Sequence, residues 1–116
     1  MKMMTKTQRE KLIKNHRATW SMPEPDGGEN APVIKLFGGG ACTWLISELD
    51  PSTELAFGLC DLGFGTPELG YVSLEELAAI KFPPFGLPIE RDLSFKADKT
   101  IAEYANEASI LGRIAA

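Results

Sequence analysis

The chain has 116 residues, of which 44% are apolar, and a net charge of -4. That length makes one domain, large enough to bury a core without disulfides or a structural metal, and that composition excludes a disordered chain. Charge is unevenly laid out: residues 1–20 hold six Lys or Arg against one Glu, and the remainder holds six basic and fifteen acidic residues.

The first predicted element is a helix opened by "TKTQREKLIKNHR". Thr5 and Gln8 have capping-box spacing, in which each side chain satisfies a free backbone N–H of the first turn. Leu12, Ile13, His16 and Trp20 fall on one arc at helical period. His16 is the only histidine. No carboxylate or nucleophile neighbours it in sequence, so it reads as a packing residue at the helix edge rather than a base.

"SMPEPDGGENAP" from Ser21 to Pro32 has prolines, a glycine pair and polar residues, and reads as a loop. "VIKLF" is a strand from Val33 to Phe37, and "GGG" at 38–40 a turn. "ACTWLISEL" is a second strand, with Trp44, Ile46 and Glu48 on one face and Thr43, Leu45, Ser47 and Leu49 on the other. "LAFGLCDL" and "ELGYV" are a third and a fourth strand. Gly58 inside the third marks a bulge or a close backbone approach. "SLEELAAI" is a helix with a second capping box at Ser73 and Glu76, and "KFPPFGLP" breaks regular structure. "IERDLSF" reads as a fifth strand at a sheet edge. "TIAEYANEASILGRI" is a helix capped by Thr100 and Glu103 and stopped by Gly112, with Ile101, Tyr104, Ala105, Ala108 and Ile110 or Leu111 as its apolar stripe.

The strand connections are short, which predicts an antiparallel meander. The fold class is α+β: a small, mostly antiparallel sheet of four to five strands with about three helices packed on it, gathered on one side. The single domain divides into a basic N-terminal helix (1–20), a flexible loop (21–32) and an α+β core (33–113).

Several chemistries can be weighed on these residues. The glycine-rich run "GLCDLGFG" has no lysine of the Walker type, and "TPELGYV" separates it from the next helix, so it is not a phosphate loop. Cys42 and Cys60 predict buried free thiols in a reducing cytosol, and with one histidine they make no zinc site. No cofactor motif and no catalytic constellation is present. No apolar run approaches the roughly 20 residues that span a bilayer, and no apolar segment follows the basic start, so neither a membrane span nor a signal peptide is predicted.

Carboxylates dominate what remains. Between Glu24 and Ile80 the only base is Lys35, against ten acids. Glu48, Asp50, Asp61, Glu68, Glu75 and Glu76 form a candidate acidic surface for a basic protein partner. Asp61 lies in an apolar strand and needs donors if it faces inward, so an Asp61–Arg91 or Glu68–Arg91 ion pair is predicted. An alternative is a metal-dependent hydrolase that gathers Asp61, Glu68, Glu90 and Asp92. Another is an accessory nucleic-acid binder using Lys6, Arg9, Lys11, Lys14 and Arg17, which the acidic remainder opposes. The sequence leaves the oligomeric state open.

"PVIKLF", "TWLISELDP", "AFGLCDLGFGTPELGYVSLEEL" and "GLPIERDLSF" resemble the bacterial family catalogued as domain of unknown function 2958, from about Pro32 to Arg113. The resemblance implies a protein of plasmids and integrative conjugative elements, encoded beside replication, transfer and anti-restriction genes. It implies no activity, cofactor or catalytic residue. Together with the charge layout, it favours a small cytoplasmic interaction module, with a counter-defence inhibitor (anti-restriction or anti-CRISPR) as its most concrete form.

Overall fold

A computed structural model describes residues 3–116. The elements run α1 (Lys6–Trp20), β1 (Ile34–Gly38), β2 (Cys42–Asp50), β3 (Leu55–Asp61), β4 (Glu68–Ser73), α2 (Leu74–Ala79), β5 (Glu90–Arg91) and α3 (Ile101–Leu111). The five strands form one antiparallel sheet in the order β4-β3-β2-β1-β5. The predicted meander and α+β class are therefore correct.

Local signals set the helix starts. At α1, Thr5 and Gln8 satisfy each other's backbone N–H, and at α3 Thr100 and Glu103 do the same. At α2 only half the box forms: the Ser73 hydroxyl accepts from Glu76 N–H at 3.2 Å. Gly112 ends α3 in the left-handed conformation at φ 75.

Helices occupy both faces of the sheet, which corrects the expectation that they gather on one. Leu12 of α1 and Leu74 and Leu77 of α2 pack on Ile34, Leu36, Trp44 and Ile46. Ile101, Tyr104 and Ala108 of α3 pack on Leu45 and Leu59. Leu45 lies between Trp44 and Ile46, and neighbours along a strand point to opposite faces. The sheet is too apolar on its second face to be left in water, so α3 covers it.

The α1 stripe is Leu12, Asn15 and Thr19. Trp20, expected on it, is 56% exposed. Ile110 and Leu111, expected on the α3 stripe, are also exposed. The fifth strand shortens to Glu90–Arg91, because the chain turns at Asp92, whose carboxylate accepts from Ser94 N–H at 2.8 Å.

The largest departure from the expected pattern lies in β2. The β2–β3 register shifts between Ile46 and Glu48, where Ser47 is an extra residue opposite β3. The bulge carries Leu49 to the same side as Trp44 and Ile46 rather than opposite them. It also leaves the Ser47 carbonyl to be satisfied from outside, and the buried Asn15 amide of α1 donates to it at 3.0 Å. Gly58 sits directly across from Ile46. A Cβ there would lie 1.9 Å from the Leu45 carbonyl oxygen. The predicted close approach at Gly58 is thus real, and the bulge is on the facing strand.

Gly58→Ala is expected to destabilise the fold by ~2–3 kcal/mol, since the added methyl meets backbone that cannot rotate away. Urea denaturation of the two proteins measures it.

Candidate functional site

The six acidic residues proposed as a surface separate into two groups. Glu68, Glu75 and Glu76 are exposed and Asp50 is partly so, but Glu48 and Asp61 are only 3% and 4% exposed. The latter two are therefore corrected from surface acids to buried ones.

Asp61 finds its donors in backbone. Its Oδ1 accepts from Gly63 N–H at 2.8 Å and its Oδ2 from Ile114 N–H at 3.1 Å. Gly63 turns at φ 86 to aim that N–H back. The glycine run after β3 thus punctuates the sheet and supplies a hydrogen bond to a buried carboxylate.

Arg91 does not take part. Register places Arg91, Leu36, Trp44, Cys60 and Glu68 in one row across the sheet. Arg91 and Glu68 are the two ends of that row, four strand spacings or about 19 Å apart. Asp61 follows Cys60 and points to the other face. Among the described residues no ion pair joins Arg91 to either acid, which corrects the expected pair.

The same geometry disperses the proposed hydrolase. Asp61 is tied down beneath α3, Glu68 lies on the β4 edge, and Glu90 and Asp92 lie at the β5 edge. Asp92 faces Lys35 at 3.6 Å. Among the described residues no three His, Cys, Asp or Glu side chains are grouped to hold a metal. The four acids never share a cleft, and the hydrolase reading fails on their placement. Both cysteines are free. Burial pushes the Cys60 thiol up to about 11, and burial followed by the Asp61 charge raises Cys42. Neither is a thiolate nucleophile at neutral pH.

On α1, Lys6, Lys11, Lys14 and Arg17 are exposed. Arg9 is engaged internally: its guanidinium forks onto both Glu54 oxygens at 2.8 and 2.7 Å. That hydrogen-bonded pair raises the Arg9 pKa and lowers that of Glu54. It floors a cleft of about 460 Å³ walled by Met3, Met4, Leu74 and Ala78.

Sequence reasoning missed one cluster altogether. His16 lies between two carboxylates of β2, with Nδ1 3.9 Å from Glu48 Oε1 and Nε2 3.9 Å from Asp50 Oδ2. Asn30 donates to Glu48 Oε2 at 3.3 Å and to Thr19 Oγ1 at 3.1 Å. Gly27 lies so close that a Cβ would fall 2.0 Å from Glu48 Oε2. Burial raises the Glu48 pKa, opposed by hydrogen bonds from Asn30 and Thr19 and by His16. The cluster ties α1, the 21–32 loop and β2 together. The contacts that join its elements span 11 or more residues, so no local motif announces it; the one available signal was an acid embedded in an apolar strand.

Glu48→Ala is expected to cost ~1–3 kcal/mol, by stranding the Asn30 and Thr19 donors. Glu48→Gln reports the charge alone. A buried acid with a raised pKa binds protons more tightly folded than unfolded. Its contribution therefore weakens as pH rises from the unfolded Glu value through the folded one. Urea titrations across pH should show the stability difference between the parent and Glu48→Gln declining over that window, since the carboxylates whose pKa values are lowered act alike in both proteins.

The remaining exposed feature is the free edge of the sheet at β4. Glu68 stands at its start and Glu75 and Glu76 follow on α2, with no Lys or Arg from Leu55 to Ile80. Leu69 and Tyr71 of β4 are 42% and 56% exposed, and the Tyr71 ring stacks at a tilt on Phe57 with centroids 5.1 Å apart. This acidic, aromatic corner is the surface on which the interaction reading now rests.

No curated protein and no solved structure matches the chain significantly. A family model does, over residues 3–115, and its description is protein of unknown function (DUF2958). That match spans nearly the whole sequence, including every strand and helix described above, and the chain belongs to this family.

Proposed function

We propose that the chain is a protein-interaction module that binds a basic protein through the corner formed by β4 and α2. The carrying observation is the charge layout: Glu68 at one end of β4 and Glu75 and Glu76 beyond the other are exposed, with exposed Tyr71 and Leu69 between them and no base in that stretch of chain. Such a corner repels nucleic acid and steers a cationic partner. Among the described residues no helix is long and apolar enough to cross a membrane, and the proposed setting is the bacterial cytoplasm. The resemblance to proteins of plasmids and conjugative elements supports a mobile-element origin, and inhibition of a restriction or CRISPR effector is the most concrete version of the role.

The test is affinity capture from a bacterial host at low salt, followed by a salt series on the retained protein. A basic protein released by salt and lost with Glu68→Lys, Glu75→Lys and Glu76→Lys combined is the expected result. Those three residues are exposed, so the reversal leaves the core intact. Capture that survives both high salt and the reversal would overturn the reading.

A further inference from the structure

β4 is the outermost strand on its side of the sheet, and among the described residues no strand lies beside its outer backbone. The direction in which each backbone group points follows from one bond. Leu74 N–H donates to the Glu54 carbonyl at 3.1 Å. That pair continues the β3–β4 register, in which Leu55 faces Ser73 and Ala56 faces Val72. Hydrogen-bonded pairs alternate along an antiparallel ladder. Val72, Gly70 and Glu68 therefore bond to β3, whereas Tyr71 and Leu69 turn N–H and C=O outward and Ser73 turns its N–H outward, its C=O being taken up by the first turn of α2. Among the described residues, no backbone bond outside the ladder engages Leu69 or Tyr71.

Natural sheets block such an edge with lysines, inward charges, bulges or a covering segment. β4 has no Lys, and its register to β3 is unbroken. The one blocking residue is Pro67, just before the strand, whose missing N–H would have pointed outward in the same series. It limits the open ladder to Leu69–Ser73 without closing it. Leu69 and Tyr71 offer apolar side chains beside the exposed backbone, and acids stand at both ends: Glu68 at one, Glu75 and Glu76 at the other.

Resting on the interaction reading above, we infer that β4 receives an extended segment of the partner as an added sixth strand, and that this segment carries basic residues flanking a short β-forming core. Main-chain bonds to Leu69 and Tyr71, with the Ser73 N–H, supply the affinity and the flanking carboxylates supply the selectivity. A second copy of this chain is disfavoured as occupant, because pairing β4 with itself would bring two sets of Glu68, Glu75 and Glu76 to one junction.

The probe is a synthetic peptide of alternating valine and threonine with two lysines at each end, added to the ¹⁵N-labelled full chain. Amide exchange of Leu69 and Tyr71 should slow, while Gly70 and Val72, already in the ladder, stay unchanged. A peptide with glutamates in place of lysines should bind at least about tenfold more weakly. One N-methylated at alternate residues should not bind, and this control leaves the protein itself unaltered. Tyr71→Pro, which removes an outward N–H and no bond to β3 while also removing the ring that stacks on Phe57, should abolish the effect with the fold intact by circular dichroism. If the lysine peptide leaves the β4 amides unchanged while a captured basic protein still binds in a salt-sensitive manner, the edge assignment is overturned and the interaction module stands. If both peptides protect β4 equally, the edge is a receptor but the basic partner is overturned. A concentration-dependent dimer abolished by Tyr71→Pro assigns the edge to a second copy and overturns the inference.

Discussion

One surplus residue in the central strand, Ser47, organises much of what surrounds it. Without the bulge, the alternation of β2 would put Leu49 beneath α3. With it, Leu49 joins Trp44 and Ile46 under α1, and Glu48 is delivered to the rim where the 21–32 loop passes. The extra residue frees a carbonyl in the interior, where an unmet acceptor costs about 1–3 kcal/mol. Asn15 meets it from α1. A polar residue at the centre of a helix's buried stripe is thus explained by a defect in the sheet it faces. The facing strand makes its own concession, a glycine where any side chain would collide with Leu45.

The parts of this fold that were legible in the sequence are those decided within a few residues. Thr5 with Gln8 and Thr100 with Glu103 announce helix starts because the cap is a contact between residues three apart. The meander was legible because turns of a few residues leave neighbouring strands no other partner. What was not legible depends on distant chain. Nothing near Ser47 marks it as surplus; the reason lies in Gly58 and Asn15. Which face α3 covers depends on Leu45 and Leu59 together, and alternation alone does not say which helix each face receives. The isolated acids failed most visibly. Glu48 and Asp61 looked like surface charges because acids usually are, and their donors come from Asn30, Thr19, Gly63 and Ile114, which only the tertiary fold brings near.

Removing those two acids from the surface sharpens the charge pattern. Glu48 and Asp61, almost fully buried, are out of reach of a partner's side chains. The charged groups left within reach include Lys6, Lys11, Lys14 and Arg17 of α1 and Glu68, Glu75 and Glu76 of β4 and α2. Arg9 leaves the basic set as well, since it is forked onto Glu54. The exposed bases of α1 and the exposed acids of β4 and α2 sit on different elements, and they meet where Lys6, Arg9 and Glu75 line one cleft.

The start of α3 has a bearing on how the molecule opens. A helix leaves its first N–H groups without partners in its own backbone. Here Ile101 and Ala102 donate theirs to the carbonyls of Asn30 and Gly28, at 2.7 and 3.1 Å, and Glu103 donates to the Thr100 hydroxyl. Asn30, from the same loop, also reaches Thr19 on α1. The two helices lie on opposite faces of the sheet, yet they are laced together around its rim by one short length of chain. Layers that only share a sheet can peel away separately; layers laced at the rim must release the lace first. Hydrogen exchange in α1 and α3 is thereby coupled into one cooperative opening, and the meander between them behaves as a filling bound on both covers.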